Sequence, residues 1–161
     1  MKLRMVIIVT GATGIGKTTV CKKVLELAQN AGYGCGGIIT DKMPGATLAV
    51  RDIRSGEKAI LAVPGGSSIG PFTSKFTFDT KGIDFGIRAI EEGISKDILF
   101  VDEIGILEAR GGGFISALDM ANKRTTKTSI LVIRKTLLVN LLPYLDEDPV
   151  VFEITAENRD R

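Results

Sequence analysis

Short apolar runs and helix-spaced apolar stripes follow one another along the chain, punctuated by glycine. Met5 to Thr10 is a β-rich run that stops at Gly11, whereas from Lys17 to Asn30 the residues Val20, Val24, Leu25 and Leu27 are spaced for one helical face. The pattern predicts a strand, a loop and a helix. Ala31-Gly32-Tyr33-Gly34 ends the helix, and three β-like runs follow: Cys35 to Thr40, Thr47 to Ile53 and Lys58 to Val63. Met43-Pro44-Gly45-Ala46 and Arg54-Ser55-Gly56-Glu57 separate them, and such short spacings predict antiparallel hairpins. Residues 64–74 are rich in Gly, Ser and Pro and read as a loop, after which Ile83, Ile87 and Ile90 recur at helical spacing within Gly82 to Ile94. Asp97 to Val101 is the next predicted strand. Gly111-Gly112-Gly113 reads as a flexible point before a helix from Phe114 to Lys123, with Phe114, Leu118 and Ala121 on one face. Ser129 to Ile133 predicts a further core strand, Leu137 to Leu145 a short helix broken at Pro143, and Val150 to Thr155 a last strand.

Strands that alternate with helices indicate an α/β architecture, a mainly parallel sheet covered on both faces, here with an antiparallel β-hairpin insertion. With 161 residues and no repeat, low-complexity tract or linker, the expectation is a single domain over residues 1–161.

Composition removes much common chemistry. Apolar residues make up 44% and charged residues 25%, the balance of a soluble globular protein. The net charge of +2 gives no strong field for nucleic acid or an anionic membrane, so an anionic ligand must be bound locally. Lys22, Lys23 and the charges from Lys123 to Lys127 read as solvated helix faces, which disfavours nucleic acid as a partner. Histidine is absent, which excludes His-based acid–base catalysis, Ser-His-Asp and Cys-His systems, and imidazole zinc sites. Cys21 and Cys35 are too few for a disulfide framework and read as buried structural residues. The apolar run after the basic start is only Met5 to Val9, short of a signal peptide, and no segment reaches the ~18 apolar residues of a membrane span. The expected location is the cytoplasm, with no membrane partner.

Gly11-Ala12-Thr13-Gly14-Ile15-Gly16-Lys17-Thr18 fits the phosphate-loop pattern, and it lies between a predicted strand and a predicted helix as that pattern requires. Its glycines let successive backbone N–H groups face phosphates at a helix N-terminus, which carries roughly half a positive charge. This cradle needs no basic surface. Lys17 is expected to reach the β- and γ-phosphates, the Thr18 hydroxyl to ligate Mg²⁺, and Thr19 to approach the α-phosphate. The bland alternative is a glycine turn.

Asp102 and Glu103 follow an apolar strand, and in an open α/β sheet ligands lie outside the carboxyl ends of strands. Asp102 is placed to hold Mg²⁺ and Glu103 to deprotonate the attacking water, since without histidine a carboxylate is the natural base. Arg134, after the Ser129 to Ile133 strand, is a candidate for the second cation that a γ-phosphoryl transition state needs; a solvated strand-end charge is the other reading.

These residues resemble the small P-loop nucleoside-triphosphatases, including those called cancer-related nucleoside-triphosphatases. The resemblance rests on Gly11 to Thr19, on Gly36-Gly37-Ile38-Ile39-Thr40 with Arg51-Asp52-Ile53 and Ser55-Gly56-Glu57-Lys58, and on Ser74-Lys75-Phe76. Val101-Asp102-Glu103-Ile104-Gly105, Leu107-Glu108 and Ile154-Thr155-Ala156-Glu157-Asn158-Arg159-Asp160 complete it. It implies a RecA-like sheet and Mg²⁺-dependent hydrolysis of ATP, GTP and other nucleoside triphosphates. It also suggests Lys75 near the nucleotide and Asn158 and Arg159 near the base. Asn122-Lys123-Arg124-Thr125 lacks the carboxylate of a guanine-reading motif and implies no guanine selectivity. The leading expectation is therefore a hydrolase that yields the diphosphate and phosphate. The alternatives are a small kinase that passes the γ-phosphoryl group to an acceptor, and a nucleotide-dependent switch whose protein partner the sequence does not name.

Overall fold

The computed structural model describes residues 5–65, 76–104, 127–145 and 148–160. The expected helix from Phe114 to Lys123, the Gly111-Gly112-Gly113 segment, Lys75 and Asn122-Lys123-Arg124-Thr125 lie outside the described residues.

Among the described residues eight strands form one sheet: β1 (Met5–Gly11), β2 (Cys35–Lys42), β3 (Leu48–Asp52), β4 (Lys58–Pro64), β5 (Phe76–Phe78), β6 (Ile98–Ile104), β7 (Thr128–Arg134) and β8 (Val150–Ile154). Their order is β5-β4-β3-β2-β6-β7-β1-β8. Five of them, β2, β6, β7, β1 and β8, run parallel, while β3, β4 and β5 continue the sheet from β2 as an antiparallel meander. The expected hairpin insertion is thus an extension of the same sheet. Numbered along the chain, the parallel strands lie in the order 5-1-4-3-2, and all five carboxyl ends share one edge.

Helix α1 (Lys17–Asn30) covers one face and α2 (Thr80–Gly93) the other. Alternation along each strand sorts the core accordingly: Ile39, Phe100, Ile130 and Val132 pack with Cys21, Leu25 and Ala28 of α1. Ile38, Leu99, Val101, Leu131 and Ile133 pack with Ile83 and Ile90 of α2 and with Leu141 of the short α3 (Leu138–Leu141). Leu27 does not join the α1 face as its spacing predicts; it is 69% exposed, and Cys21 and Ala28 complete the stripe instead. Their small side chains let the helix sit close to the sheet. Both cysteines are free and buried, as expected.

Helix α2 also lies close to the sheet. A Cβ at Gly82 would lie 1.9 Å from the Ile60 carbonyl oxygen, so only hydrogen fits there. Asp79, whose carboxylate accepts from the Lys81 amide at 2.8 Å, caps the helix, which starts at Thr80, two residues earlier than the isoleucine spacing indicates. The short strand β5 carries no apolar run long enough to be predicted, and Pro143 confines α3 to four residues between two single 3₁₀ turns.

Candidate active site

Gly11 ends β1, and the chain then runs through Ala12, Thr13, Gly14 and Ile15 to Gly16, the residue before α1. Gly16 has φ 112° and supplies no capping side chain, so the first amides of α1 stay available to an anion. Lys17 Nζ donates to the carbonyl oxygens of Ala12 at 2.7 Å and Gly11 at 3.2 Å, which holds the ammonium over the loop. Thr18 and Thr19 follow on the first turn of α1, Thr18 half-buried and Thr19 exposed.

Asp102 is fully buried. The Thr18 hydroxyl donates to its Oδ1 at 3.1 Å and the Thr40 amide to its Oδ2 at 3.1 Å. The Thr40 hydroxyl lies 3.4 Å from the Asp102 carbonyl oxygen, a second tie between β2 and β6. The two residues expected to hold a metal, 84 positions apart in sequence, are therefore side by side. A hydroxyl and a carboxylate are hard oxygen donors, the pair that suits Mg²⁺ when substrate phosphates and water complete its shell. Cys21 lies under this pair, where burial pushes its thiol pKa well up and the Asp102 charge adds to the effect.

Asp102 and Glu103 belong to β6 itself, not to the turn after it. Val101 pairs with Leu131 but Ile104 with Ile133, so three steps along β6 oppose two along β7. Such a shift bends a strand and re-aims its side chains, and it is common beside active sites. The side chain of Glu103 lies outside the described residues.

Arg134 ends β7 directly opposite Gly11, half-buried at the foot of the loop. After β8 the chain turns back toward the same place. Asn158 closes that turn: its Oδ1 accepts from the Thr155 amide and its Nδ2 donates to the Glu153 carbonyl, both at 2.8 Å. Arg159 then reaches the loop, its guanidinium 3.5 Å from the Ile15 carbonyl oxygen. Gly16, Thr19, Arg159 and Asp160 line a cleft of about 190 Å³, less than the ~300–1,000 Å³ of a complete ligand pocket and enough for part of one.

One participant escaped the sequence, and a second was only half specified by it. The Thr40 amide is backbone and leaves no mark in residue type, although its place at the end of a predicted strand was visible. Arg159 was only one of two neighbouring candidates until the turn showed that Asn158 holds the backbone and Arg159 faces the loop. Lys22, expected on a solvated face, instead pairs with Asp41 at 2.7 Å, because the buried carboxylate after Thr40 draws it in.

A family profile described as NTPase matches residues 6–161. The chain belongs to the NTPase family. Among its relatives, the nucleoside-triphosphatase THEP1 of Thermotoga maritima is 31% identical, over 96% of this chain and 89% of that protein. The corresponding protein of Methanopyrus kandleri is 29% identical, over 96% and 88%. The fold also matches the solution structure of a human cancer-related nucleoside triphosphatase, with a TM-score of 0.72, 22% identity, and coverage of 98% of this chain and 92% of that one. The crystal structure of THEP1 from Aquifex aeolicus gives a TM-score of 0.68 at 23% identity, over 97% and 93%. These two likenesses bear on the fold, an α/β P-loop architecture, as expected.

Proposed function

We propose that this NTPase hydrolyses nucleoside triphosphates, ATP and GTP among them, with Mg²⁺, to the diphosphate and phosphate, as one cytoplasmic P-loop domain over residues 1–161. The observation that carries the reading is the Thr18 hydroxyl donating to the buried Asp102 carboxylate at the uncapped start of α1. Thr18 and Asp102 hold Mg²⁺, which when bound neutralises charge on the phosphate oxygens. The loop amides from Ala12 to Thr18 cradle the phosphates, Lys17 leaves its loop carbonyls for the β- and γ-phosphates, and Thr19 lies toward the α-phosphate.

Glu103 takes the proton of the attacking water. The water oxygen bonds to the γ-phosphorus as the bond to the β–γ bridging oxygen breaks, and the diphosphate leaves. Arg134, at the foot of the loop, faces the charge that develops on the transferred group. The cleft beside Gly16 and Thr19 receives part of the nucleoside against Arg159, with Asn158 holding that turn in shape. No helix among the described residues is long and apolar enough to cross a membrane.

The test incubates the purified protein with each nucleoside triphosphate and Mg²⁺, with and without candidate acceptors, and measures free phosphate. Release without acceptor is expected; acceptor-dependent phosphorylation instead favours a kinase, and tight binding without turnover a switch. Glu103→Gln should bind nucleotide but lose on the order of 10²–10⁴ in turnover, the range for a general base. Unchanged turnover would remove Glu103 from its role. Lys17→Ala should abolish productive binding.

A further inference from the structure

Asp41, next to Thr40 at the carboxyl edge of β2, anchors a cluster that hydrolysis does not use. Lys22 Nζ of α1 lies 2.7 Å from its Oδ1, while Arg51 Nε of β3 at 3.1 Å and Lys58 Nζ of β4 at 3.2 Å share its Oδ2. We propose that Lys22, Arg51 and Lys58 form a second oxyanion subsite, which binds a phosphate group separate from the triphosphate in the loop.

Charge is the first argument. One carboxylate faces three cations, which leaves two positive charges in excess, and among the described residues none of the three cations has another acidic partner. Asp41 neutralises enough repulsion to hold the cations together and too little to satisfy them. The second argument is donor geometry. Arg51 engages Asp41 through Nε alone, so the two terminal amino groups of its guanidinium, which grip an oxyanion side by side, are not used on the carboxylate. Lys22 and Lys58 add compact charges on either side, and their side chains are 42% and 46% exposed, within reach of a solute.

Position is the third. Arg51 pairs with Ile39, and Lys58 with Arg51, so both side chains rise on the face that carries α1. Lys22 lies one helical turn beyond Thr18, and Asp41 one residue beyond the amide that holds Asp102. The subsite thus adjoins the metal end of the loop, where a doubly charged phosphate is the matching ligand class. Phosphate released by the reaction and the phosphate ester of a second small molecule share that chemistry.

The experiment titrates Lys17→Ala protein with inorganic phosphate by calorimetry, so that binding in the loop is impaired from the start. Saturable binding is expected to remain, and adding Arg51→Gln and Lys58→Gln should weaken it roughly ten- to hundredfold. Nucleotide binding by the Arg51→Gln, Lys58→Gln protein with Lys17 intact reports its folding; should it not fold, Lys58→Gln alone in the Lys17→Ala background is read in the same way. Loss of all phosphate binding in Lys17→Ala alone, or unchanged affinity after the further substitutions, overturns the subsite. Glycerol phosphate run in parallel separates the sources: weaker binding than inorganic phosphate identifies released product, and tighter binding a second phosphorylated substrate.

Discussion

On the face that carries α1, Phe100 and Ile39 in the parallel part of the sheet are fully buried, whereas Ile60 on β4, opposite Ala49 and two residues along from Lys58, is 43% exposed. Helix α1 packs on β1, β2, β6 and β7, while α2 reaches β2, β3, β4 and β6. Strands β2 and β6 are therefore roofed on both sides and the antiparallel strands by α2, while β8, at the far edge, is exposed from Val150 to Glu153. Beyond α1 that face carries Arg51 and Lys58 beside Ala49 and Ile60. The difference teaches how the work is divided: the doubly covered β2 and β6 can hold a buried carboxylate rigidly beside the loop, and the strands that α1 leaves open can present charge to solvent.

The sharpest way to break this comparison is through packing. Phe100→Ala should lower stability by ~3–5 kcal/mol, the usual cost of deleting a buried aromatic ring. Ile60→Ala should stay within ~0.5 kcal/mol, as for an exposed position. Denaturant unfolding measures both, and equal losses would show that β4 is as closely packed on that face as β6.

Next in size is a contrast between two acids at the same sheet edge. Asp102 is held by a hydroxyl and an amide and faces the loop; Asp41 is ringed by cations two strand-widths from β7. Asp102→Asn should lower kcat/KM by about 10² or more, since even the outer partners of metal ligands cost ~10–100-fold. Asp41→Asn should change it by less than about tenfold, because its contacts organise the neighbouring cations and not the reacting phosphate. A similar fall in both would place Asp41 inside the catalytic machinery.

Much of this architecture was legible because its signals are local. The β1, loop and α1 unit needs only an apolar run, glycines and a helical stripe, and the helix spans Lys17–Asn30 as the spacing indicates. Asp102 was legible because an acid after an apolar strand is a pattern in one segment. The register shift at Asp102 and Glu103 was not, since it depends on how β6 meets β7, 30 positions away. Nor was the Asp41 cluster: its members come from β2, α1, β3 and β4, and each alone reads as an ordinary surface charge. Leu27 failed for the opposite reason. It stands three residues after Val24 but two after Leu25, about 200° round the helix, and the stripe that touches the sheet runs through Cys21, Leu25 and Ala28 at i, i+4 and i+7.

The smallest expected effect is the acid limb of stability. Burial alone would raise the Asp41 pKa, but hydrogen bonds from Lys22 and Lys58 and the charge of Arg51 outweigh it and hold the carboxyl below its ordinary value of 3.8. A group depressed in the folded state stabilises the fold above its unfolded pKa and loses that contribution as pH falls through its folded pKa. At neutral pH Asp41→Asn should therefore be less stable than the parent, with three cations left uncompensated. As pH falls below the ordinary carboxylate range the gap should close, because Asp41 in the parent becomes neutral as well. Asp97, held low by the Gly34 amide and Lys127, titrates in both proteins, so the difference between them isolates Asp41. Denaturation midpoints between about pH 3 and pH 7 measure this. A gap that stays constant across that range would mean that the Asp41 charge does not stabilise the cluster, and that the antiparallel half is held by its α2 face alone.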